Sequence, residues 1–241
     1  MADDHATHVT DLSSPKSLPA EIDTGLRQFL LSVYNYMGSG LVLTGLVAYG
    51  AAETGLYTSL VQMPVLFWGV VLAPLALVFF LSFRIEKMSL GTAQASFWAY
   101  AALVGLSLAG LVLAYTGVSI ARTFFITATT FLAMSFYGYT TRTDLSRVGS
   151  FLLMGLFGII VASLVNMFLA SSALQFAISV IGVDVFVGLT AYDTQRIKNI
   201  YLESDDSVIA GKKAIMGALT LYLDFLNLFI LLLQLTGNRR Q

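Results

Sequence analysis

The segment that decides the fold is residues 214–235, AIMGALTLYLDFLNLFILLLQL, an apolar run that contains one charged residue, Asp224. Its length is close to the about 20 residues that an α-helix needs to cross the hydrocarbon core of a bilayer. The spacing of Thr220, Asp224 and Asn227 places them on one face of such a helix. A polar stripe on an apolar helix is typical of a membrane span whose stripe faces the interior of a helical bundle.

Six more apolar stretches of similar length precede this one. Together the seven lie at residues 33–52, 64–83, 95–115, 121–140, 150–170, 173–192 and 214–235. The sequence therefore predicts an all-α integral membrane protein with seven transmembrane helices. The third and fourth spans are joined by a very short connection, as are the fifth and sixth. We expect each of these pairs to be antiparallel neighbours.

The composition excludes several classes of protein. Of 241 residues, 57% are apolar and 11% are charged, against about 25% charged in a soluble domain, and a soluble surface could not be covered with so few polar side chains. The 13 Lys and Arg are balanced by 14 Asp and Glu, which argues against a nucleic-acid binder. The sequence has no Cys, and its two His are His5 and His8. We expect no cofactor and no enzymatic turnover.

The sequence divides into a polar N-terminal tail (1–24), a membrane domain (25–237) and a short polar C-terminal tail (238–241). Basic residues set the orientation, because cytoplasmic segments are enriched in Lys and Arg. If all seven spans cross, ten basic residues share the side of the N-terminus and three lie on the other side. This predicts a cytoplasmic N-terminus and an external C-terminus. If the last span dips and returns, both termini are cytoplasmic.

Three acidic residues lie in or beside the last two spans: Asp184, Asp193 and Asp224. Each would cost a few kcal/mol at the bilayer centre if it faced lipid, so we expect all three to face protein or water. Asp184 and Asp193 are nine residues apart, or two and a half helical turns. They therefore point to opposite faces of the sixth span and cannot form one site.

Asp193 and Asp224 can meet only if the connection between the last two spans is partly irregular. With straight helices Asp224 would sit about 10 Å deeper than Asp193, so part of the polar stretch 203–213 must be loop. Two adjacent carboxylates in a low dielectric share one proton and titrate as a unit. Such a pair is a proton sensor and, once deprotonated, a transient calcium site. The alternative is that each Asp satisfies a helix end or a neighbouring polar side chain.

Arg84 ends the second span on the side predicted for Asp193. One interpretation is that its side chain reaches the lipid phosphates. The other is an ion pair with Asp193 that closes the cytoplasmic mouth while the carboxylate is charged.

Two motifs, Ala191-Tyr192-Asp193-Thr194-Gln195 and residues 221–229, LYLDFLNLF, resemble those of the Bax inhibitor-1 family, also called the transmembrane Bax-inhibitor-motif proteins. The resemblance covers about residues 25–237. It implies a seven-helix bundle with the seventh helix at its centre in the bacterial inner membrane. It also implies a pH-sensitive calcium leak in which Asp193 and Asp224 form the sensing pair and Arg84 is its latch.

In the same motifs Tyr192, Gln195 and Asn227 are the expected supporting polar residues, whereas Asp184 matches no motif. We expect lipid, protons and calcium ions as the partners of the protein. Some bacterial members of the family also associate with a membrane-bound AAA protease and modulate it. The resemblance therefore leaves a non-conducting regulator as the alternative function, one that should tolerate neutralisation of the buried acids.

An intramembrane aspartyl protease is the remote alternative. Such enzymes also carry one Asp on each of the last two spans, the first of them after Tyr, as in Tyr192-Asp193. Their second motif has Gly immediately before the Asp, where the backbone must approach the substrate closely. Leu223 occupies that position here, which argues against proteolysis.

Overall fold

Within residues 24–240, seven helices are long and apolar enough to cross a membrane. The computed structural model describes residues 24–240. Its helices are α1 (Thr24–Glu53), α2 (Leu56–Val61), α3 (Pro64–Arg84), α4 (Leu90–Ala114), α5 (Gly117–Thr140), α6 (Ser146–Leu169), α7 (Ser172–Asn199) and α8 (Ser207–Thr236). All except the short α2 correspond to the predicted spans, which confirms the all-α membrane class.

Several helices are longer than the apolar runs that predicted them. Helix α1 begins at Thr24, α7 continues to Asn199 and α8 begins at Ser207, so these helices include polar residues that flank the apolar runs. The predicted N-terminal tail, with His5 and His8, lies outside the described residues except for Thr24.

Side-chain caps fix the starts of the helices that follow tight connections. The hydroxyl oxygens of Ser89, Thr116 and Ser171 accept hydrogen bonds from backbone N–H groups three residues later. Asp206 Oδ1 accepts from the N–H groups of Val208 and Ile209 at the start of α8. Each cap satisfies N–H groups that have no partner within the helix, so the chain can turn within a few residues.

Helix α8 is the centre of the bundle. It is the most buried of the seven spans and packs against α7, α1, α5 and α4. Helices α3 and α6 are peripheral, because α3 packs mainly on α4 and α6 mainly on α7. The central position implied for the seventh span is confirmed.

Helices α1 and α4 pack closely against each other. A Cβ atom at Gly105 would lie 2.6 Å from the carbonyl oxygen of Thr44, so a glycine is needed for the two backbones to approach this closely. The Thr44 hydroxyl donates to the Ala101 carbonyl at 2.8 Å and lies 2.6 Å from the Tyr222 hydroxyl. This buried hydrogen-bonded group joins α1, α4 and the central α8.

The prediction for the two short connections is half correct. Helices α6 and α7, joined by residues 170–171, are packed neighbours as expected. Helices α4 and α5, joined by residues 115–116, are not, because α4 packs on α1 and α3 while α5 packs on α7 and α8. The two helices diverge from their link and leave a cavity between them.

Helix α8 is continuous to Thr236, so it crosses the bundle once and does not return. The residues after it fold back on the α4–α5 link. Arg239 forms an isolated antiparallel bridge with Tyr115, and Thr116 N–H donates to the Asn238 carbonyl at 3.0 Å. The C-terminal residues therefore lie at the same end of the bundle as the α4–α5 link.

Candidate functional site

The connection between α7 and α8 brings two acidic residues to the same depth. Asp193 lies six residues before the end of α7, and Asp224 lies 17 residues after the start of α8. At 1.5 Å per residue these positions would differ in depth by about 16 Å if both helices ended at the same level. Residues 200–206 remove the difference, because they extend beyond the end of α7 before α8 begins.

Hydrogen bonds show how this connection is held. Lys213 Nζ, two turns into α8, donates to the carbonyl oxygen of Ile200 at 3.0 Å and to Asp205 Oδ2 at 2.6 Å. Lys213 therefore reaches the last residues of α7, while the first turns of α8 extend past them. The prediction that part of 203–213 must be loop is confirmed for residues 203–206.

Asp193 and Asp224 face each other from adjacent helices, with their carboxyl groups within hydrogen-bonding reach. Both are buried, with 7% and 5% of their surfaces exposed. Asp224 Oδ2 is fully buried and has no hydrogen-bond partner among the described residues. A buried carboxyl oxygen without a partner is costly, so this atom is suited to hold a proton or to contact a cation.

The two carboxyl groups line a groove of about 810 Å³ between α6, α7 and α8. Its walls are apolar for much of their length, but polar side chains recur from one end to the other. These are Ser163, Gln175, Asp193, Arg196, Thr220, Asp224, Asn227 and Gln234. The groove therefore offers a polar route along the central helix, and within residues 24–240 Arg196 is the only basic residue that lines it.

Arg196, and not Arg84, is the basic partner of Asp193 in this structure. Its Nη1 lies 4.0 Å from Asp193 Oδ1, one helical turn away. Arg84 is exposed at the end of α3 and forms no ion pair with any residue in the range 24–240. The latch role of Arg84 stays a prediction. Arg196 could have been noticed in the sequence, because it follows Asp193 at the three-residue spacing of helical neighbours.

An amide cluster closes the other end of the groove. Gln175 Nε2 donates to Gln234 Oε1 at 2.8 Å, and the Ser179 hydroxyl donates to the same oxygen at 3.2 Å. Asn166 Nδ2 donates to Gln175 Oε1 at 3.2 Å. The cluster joins the ends of α6, α7 and α8, and no motif in the sequence pointed to it.

The supporting polar residues have different roles. Asn227 lines the groove and donates to the Leu223 carbonyl at 2.9 Å. Gln195 instead holds the α5–α6 connection, since its Oε1 accepts from Leu145 N–H at 2.9 Å and its Nε2 donates to the Thr143 carbonyl at 2.8 Å. The ring of Tyr192 packs against Gly149 of α6. Of the three, Asn227 alone lines the groove with the acid pair.

Asp184 lies on the side of α7 that faces away from Asp193. It is exposed on the surface of the bundle, whereas Asp193 is buried, so the predicted opposition of the two residues is confirmed. Asp184 does not line the groove, and the expectation that it faces protein or water stays a prediction. Its position follows from the nine-residue spacing, since α7 uses its other face to pack on α8.

The acid pair offers few ligands for a tightly bound metal ion. Within residues 24–240 no cluster of three or more His, Cys, Asp or Glu is suited to hold one. Calcium takes six to eight oxygen ligands, so water would have to supply most of them here. Such a donor set does not suit a tightly bound calcium ion.

Comparisons with known proteins cover almost the whole chain. Residues 26–241 match the family model described as inhibitor of apoptosis-promoting Bax1. The chain is 48% identical to the Rickettsia prowazekii protein RP147, over 98% of this chain and 99% of that protein. It is 49% identical to the inner membrane protein YbhL of Escherichia coli K12, over 90% and 94%. The membrane protein SpyM3_0260 of Streptococcus pyogenes is 38% identical, over 90% and 95%.

Proposed function

The chain belongs to the Bax inhibitor-1 family, and on that premise we propose that it is a passive, pH-sensitive cation leak of the bacterial inner membrane, with calcium as the permeant ion. The observation that carries the proposal is the contact between Asp193 and Asp224, two buried carboxyl groups that lie side by side in a groove along the central helix. The proposal includes no turnover chemistry.

The pH sensitivity follows from the electrostatics of the pair. Two carboxylates in one buried site cannot both be charged without a large repulsion, so they share a proton. Loss of that proton leaves a site that attracts a cation. In the part of the chain that the structure describes, Arg196 is the one other charged side chain that lines the groove. It is largely exposed, at 64% of its side-chain surface. It therefore neutralises the pair only weakly.

In this proposal Arg84 is a latch that forms an ion pair with Asp193 and closes the cytoplasmic mouth while the carboxylate is charged. It lies at the same end of the bundle as Asp193, and Lys212 of α8 donates to the Glu86 carbonyl just beyond it at 2.9 Å. Because α3 packs mainly on α4 in this structure, closure of the latch requires the end of α3 to move towards α7 and α8. Protonation of the pair would release it.

The test is calcium entry into liposomes that contain the purified protein, followed with an entrapped fluorescent indicator from about pH 5 to pH 8, where a shared carboxyl proton can titrate. Asp193→Asn and Asp224→Asn are compared with the wild type. Asp184→Asn is the matched control, because it makes the same change on α7 outside the groove. We expect pH-dependent flux in the wild type and the control, and loss of the pH dependence in both groove variants.

Flux equal to that of empty liposomes at every pH would overturn the leak. The alternative would then be a non-conducting regulator, such as a modulator of a membrane-bound AAA protease. Normal activity of the double variant Asp193→Asn, Asp224→Asn in a cell-based assay of such a protease would favour that alternative, since an adaptor does not need the titratable pair.

A further inference from the structure

A second cavity lies on the opposite side of the central helix from the acid pair. It occupies about 470 Å³ in the space where α4 and α5 diverge, with α1 and α8 forming its other walls. Its volume is within the range of about 300–1,000 Å³ that is usual for small-molecule sites. It is separate from the groove that contains Asp193 and Asp224, since no residue lines both.

The lining of this cavity is almost entirely apolar. Leu108 and Val112 of α4 face Ile120 and Phe124 of α5 across it. Phe225, Phe229 and Leu233 of α8 form its deep wall. Several lining residues are also exposed at the surface of the bundle, such as Tyr49 at 60% and Phe125 at 69%. The cavity therefore opens at the side of the bundle between candidate membrane spans, and its apolar lining does not suit water as the main occupant.

A basic side chain lies at the edge of this cavity. Arg240 lines the cavity, and the fold-back of the C-terminal residues fixes its position. Its N–H donates to the Ala114 carbonyl at 2.9 Å, and its Nε donates to the Tyr115 carbonyl at 3.1 Å. Among residues 24–240 no carboxylate pairs with its guanidinium. Its terminal nitrogens are left to bind an anion from outside.

An apolar space that opens to lipid, with a fixed guanidinium at its end, matches the two parts of an anionic phospholipid. The acyl chain would lie between α4 and α5 along α8. The phosphate would lie at the ends of α4 and α8, which is the depth of the lipid head groups. Basic pockets between transmembrane helices are a known means of binding anionic head groups, and guanidinium and phosphate bind in a bidentate manner.

We propose that the cavity between α4 and α5 is a binding site for one anionic phospholipid, with an acyl chain in the cavity and its phosphate bound by Arg240. The site is independent of the proposed leak, because none of its residues belongs to the acid pair or its groove.

Native mass spectrometry of the full chain in detergent tests this directly. Phosphatidylglycerol and phosphatidylcholine with the same acyl chains are titrated separately, and the first bound lipid is counted. We expect the wild type to bind phosphatidylglycerol more tightly. Arg240→Gln should lose about fivefold in affinity for phosphatidylglycerol and should not discriminate between the two lipids. Arg239→Gln is the matched control, since that guanidinium lies over the Tyr115 ring, 5.9 Å from its centre, and does not line the cavity.

A second pair of variants fills the cavity. Gly45 of α1 lines it and has open space where a Cβ would stand, so Gly45→Phe should fold and block the acyl chain. Gly158 of α6 is equally open and lies outside the cavity, so Gly158→Phe is the control. Ala121→Trp blocks the same space from α5. Because Ala121→Trp changes a different helix, it shows whether weaker lipid binding by Gly45→Phe comes from the blocked cavity or from a folding defect.

The expected result is weaker binding of both lipids to Gly45→Phe and Ala121→Trp, with no change in Gly158→Phe. Unchanged phosphatidylglycerol binding in the two cavity variants would overturn the site and would mean that the lipid binds elsewhere on the surface. Arg240→Gln that keeps the preference for phosphatidylglycerol would overturn the role of the guanidinium. Liposome flux is not the readout, so failure of this proposal and failure of the leak are separate results.

Discussion

Replacement of Gly105 by alanine should destabilise the bundle, although alanine is the better helix former. The new Cβ would lie 2.6 Å from the Thr44 carbonyl oxygen and 2.9 Å from Val47 Cβ. The first contact involves backbone, so no side-chain rotation relieves it. An ordinary contact of 3.4 Å requires α1 and α4 to separate by about 0.8 Å at this point.

Two opposing effects decide the stability of the Gly105→Ala variant: the steric contact of the new Cβ and the higher helix propensity of alanine. Overpacking of a tight site costs about 1–3 kcal/mol, while replacement of glycine in a helix recovers at most about 1 kcal/mol. The net loss should be about 1–2 kcal/mol in the free energy of unfolding. A larger value is expected if the separation also breaks the hydrogen bonds of Thr44 to Ala101 and Tyr222.

Reversible unfolding in mixed micelles with increasing SDS measures this difference. Gly158→Ala is the control, because Gly158 is exposed in the middle of α6 and nothing lies within 4 Å of its added Cβ. That variant should equal or slightly exceed the wild type in stability. If Gly105→Ala is as stable as Gly158→Ala, the close approach of α1 and α4 does not exist as described.

Two further predictions concern carboxyl groups outside the groove. Asp184 is exposed on α7, and we expect this surface to face lipid. Asp184→Leu should therefore raise the free energy of unfolding by about 2–3 kcal/mol and leave the pH dependence of liposome flux unchanged. A less stable variant in the same SDS assay would contradict a lipid-facing position. The pKa of Asp144 lies below its ordinary value because its carboxylate accepts hydrogen bonds from the side chain and the backbone N–H of Ser146. A lowered pKa in the folded state adds stability at higher pH, and this stability is lost as the pH falls through that pKa. Acidification below about pH 4 should therefore lower the Tm of the wild type more than that of Asp144→Asn. Equal slopes of Tm against pH for the two proteins would refute the contact between Asp144 and Ser146.

The features that depend on local pattern were predictable from the sequence. Each span contains enough apolar residues to cross a bilayer, and this alone located the seven long helices. The fixed rotation of the α-helix places Asp184 and Asp193 on opposite sides of α7 from their spacing alone. The depth mismatch of Asp193 and Asp224 also showed where the connection had to be irregular, because helical rise is constant.

The features that depend on competition between partners were not predictable. The two-residue link between α4 and α5 suggested a packed pair, but link length only holds the helix ends together. Gly105 gives α4 a closer partner in α1, and α5 packs on α7 and α8. Likewise, the charge of Arg84 and its position on the same side of the membrane as Asp193 suggested an ion pair between them. In the structure Arg196, which lies one turn from Asp193 on the same helix, forms that ion pair and needs no movement to do so.

The two cavities constrain how the central helix can move. Along α8, Asp224 and Asn227 face the polar groove, while Phe225 and Phe229 face the apolar cavity. Rotation of α8 by one residue, about 100°, would turn Asp224 into the apolar cavity at a cost of a few kcal/mol and place an aromatic ring in the groove. On the proposed function, the groove must therefore open by movement of its outer wall. Helix α6 is that wall, and it packs mainly on α7, so it can separate from α8 without breaking the core.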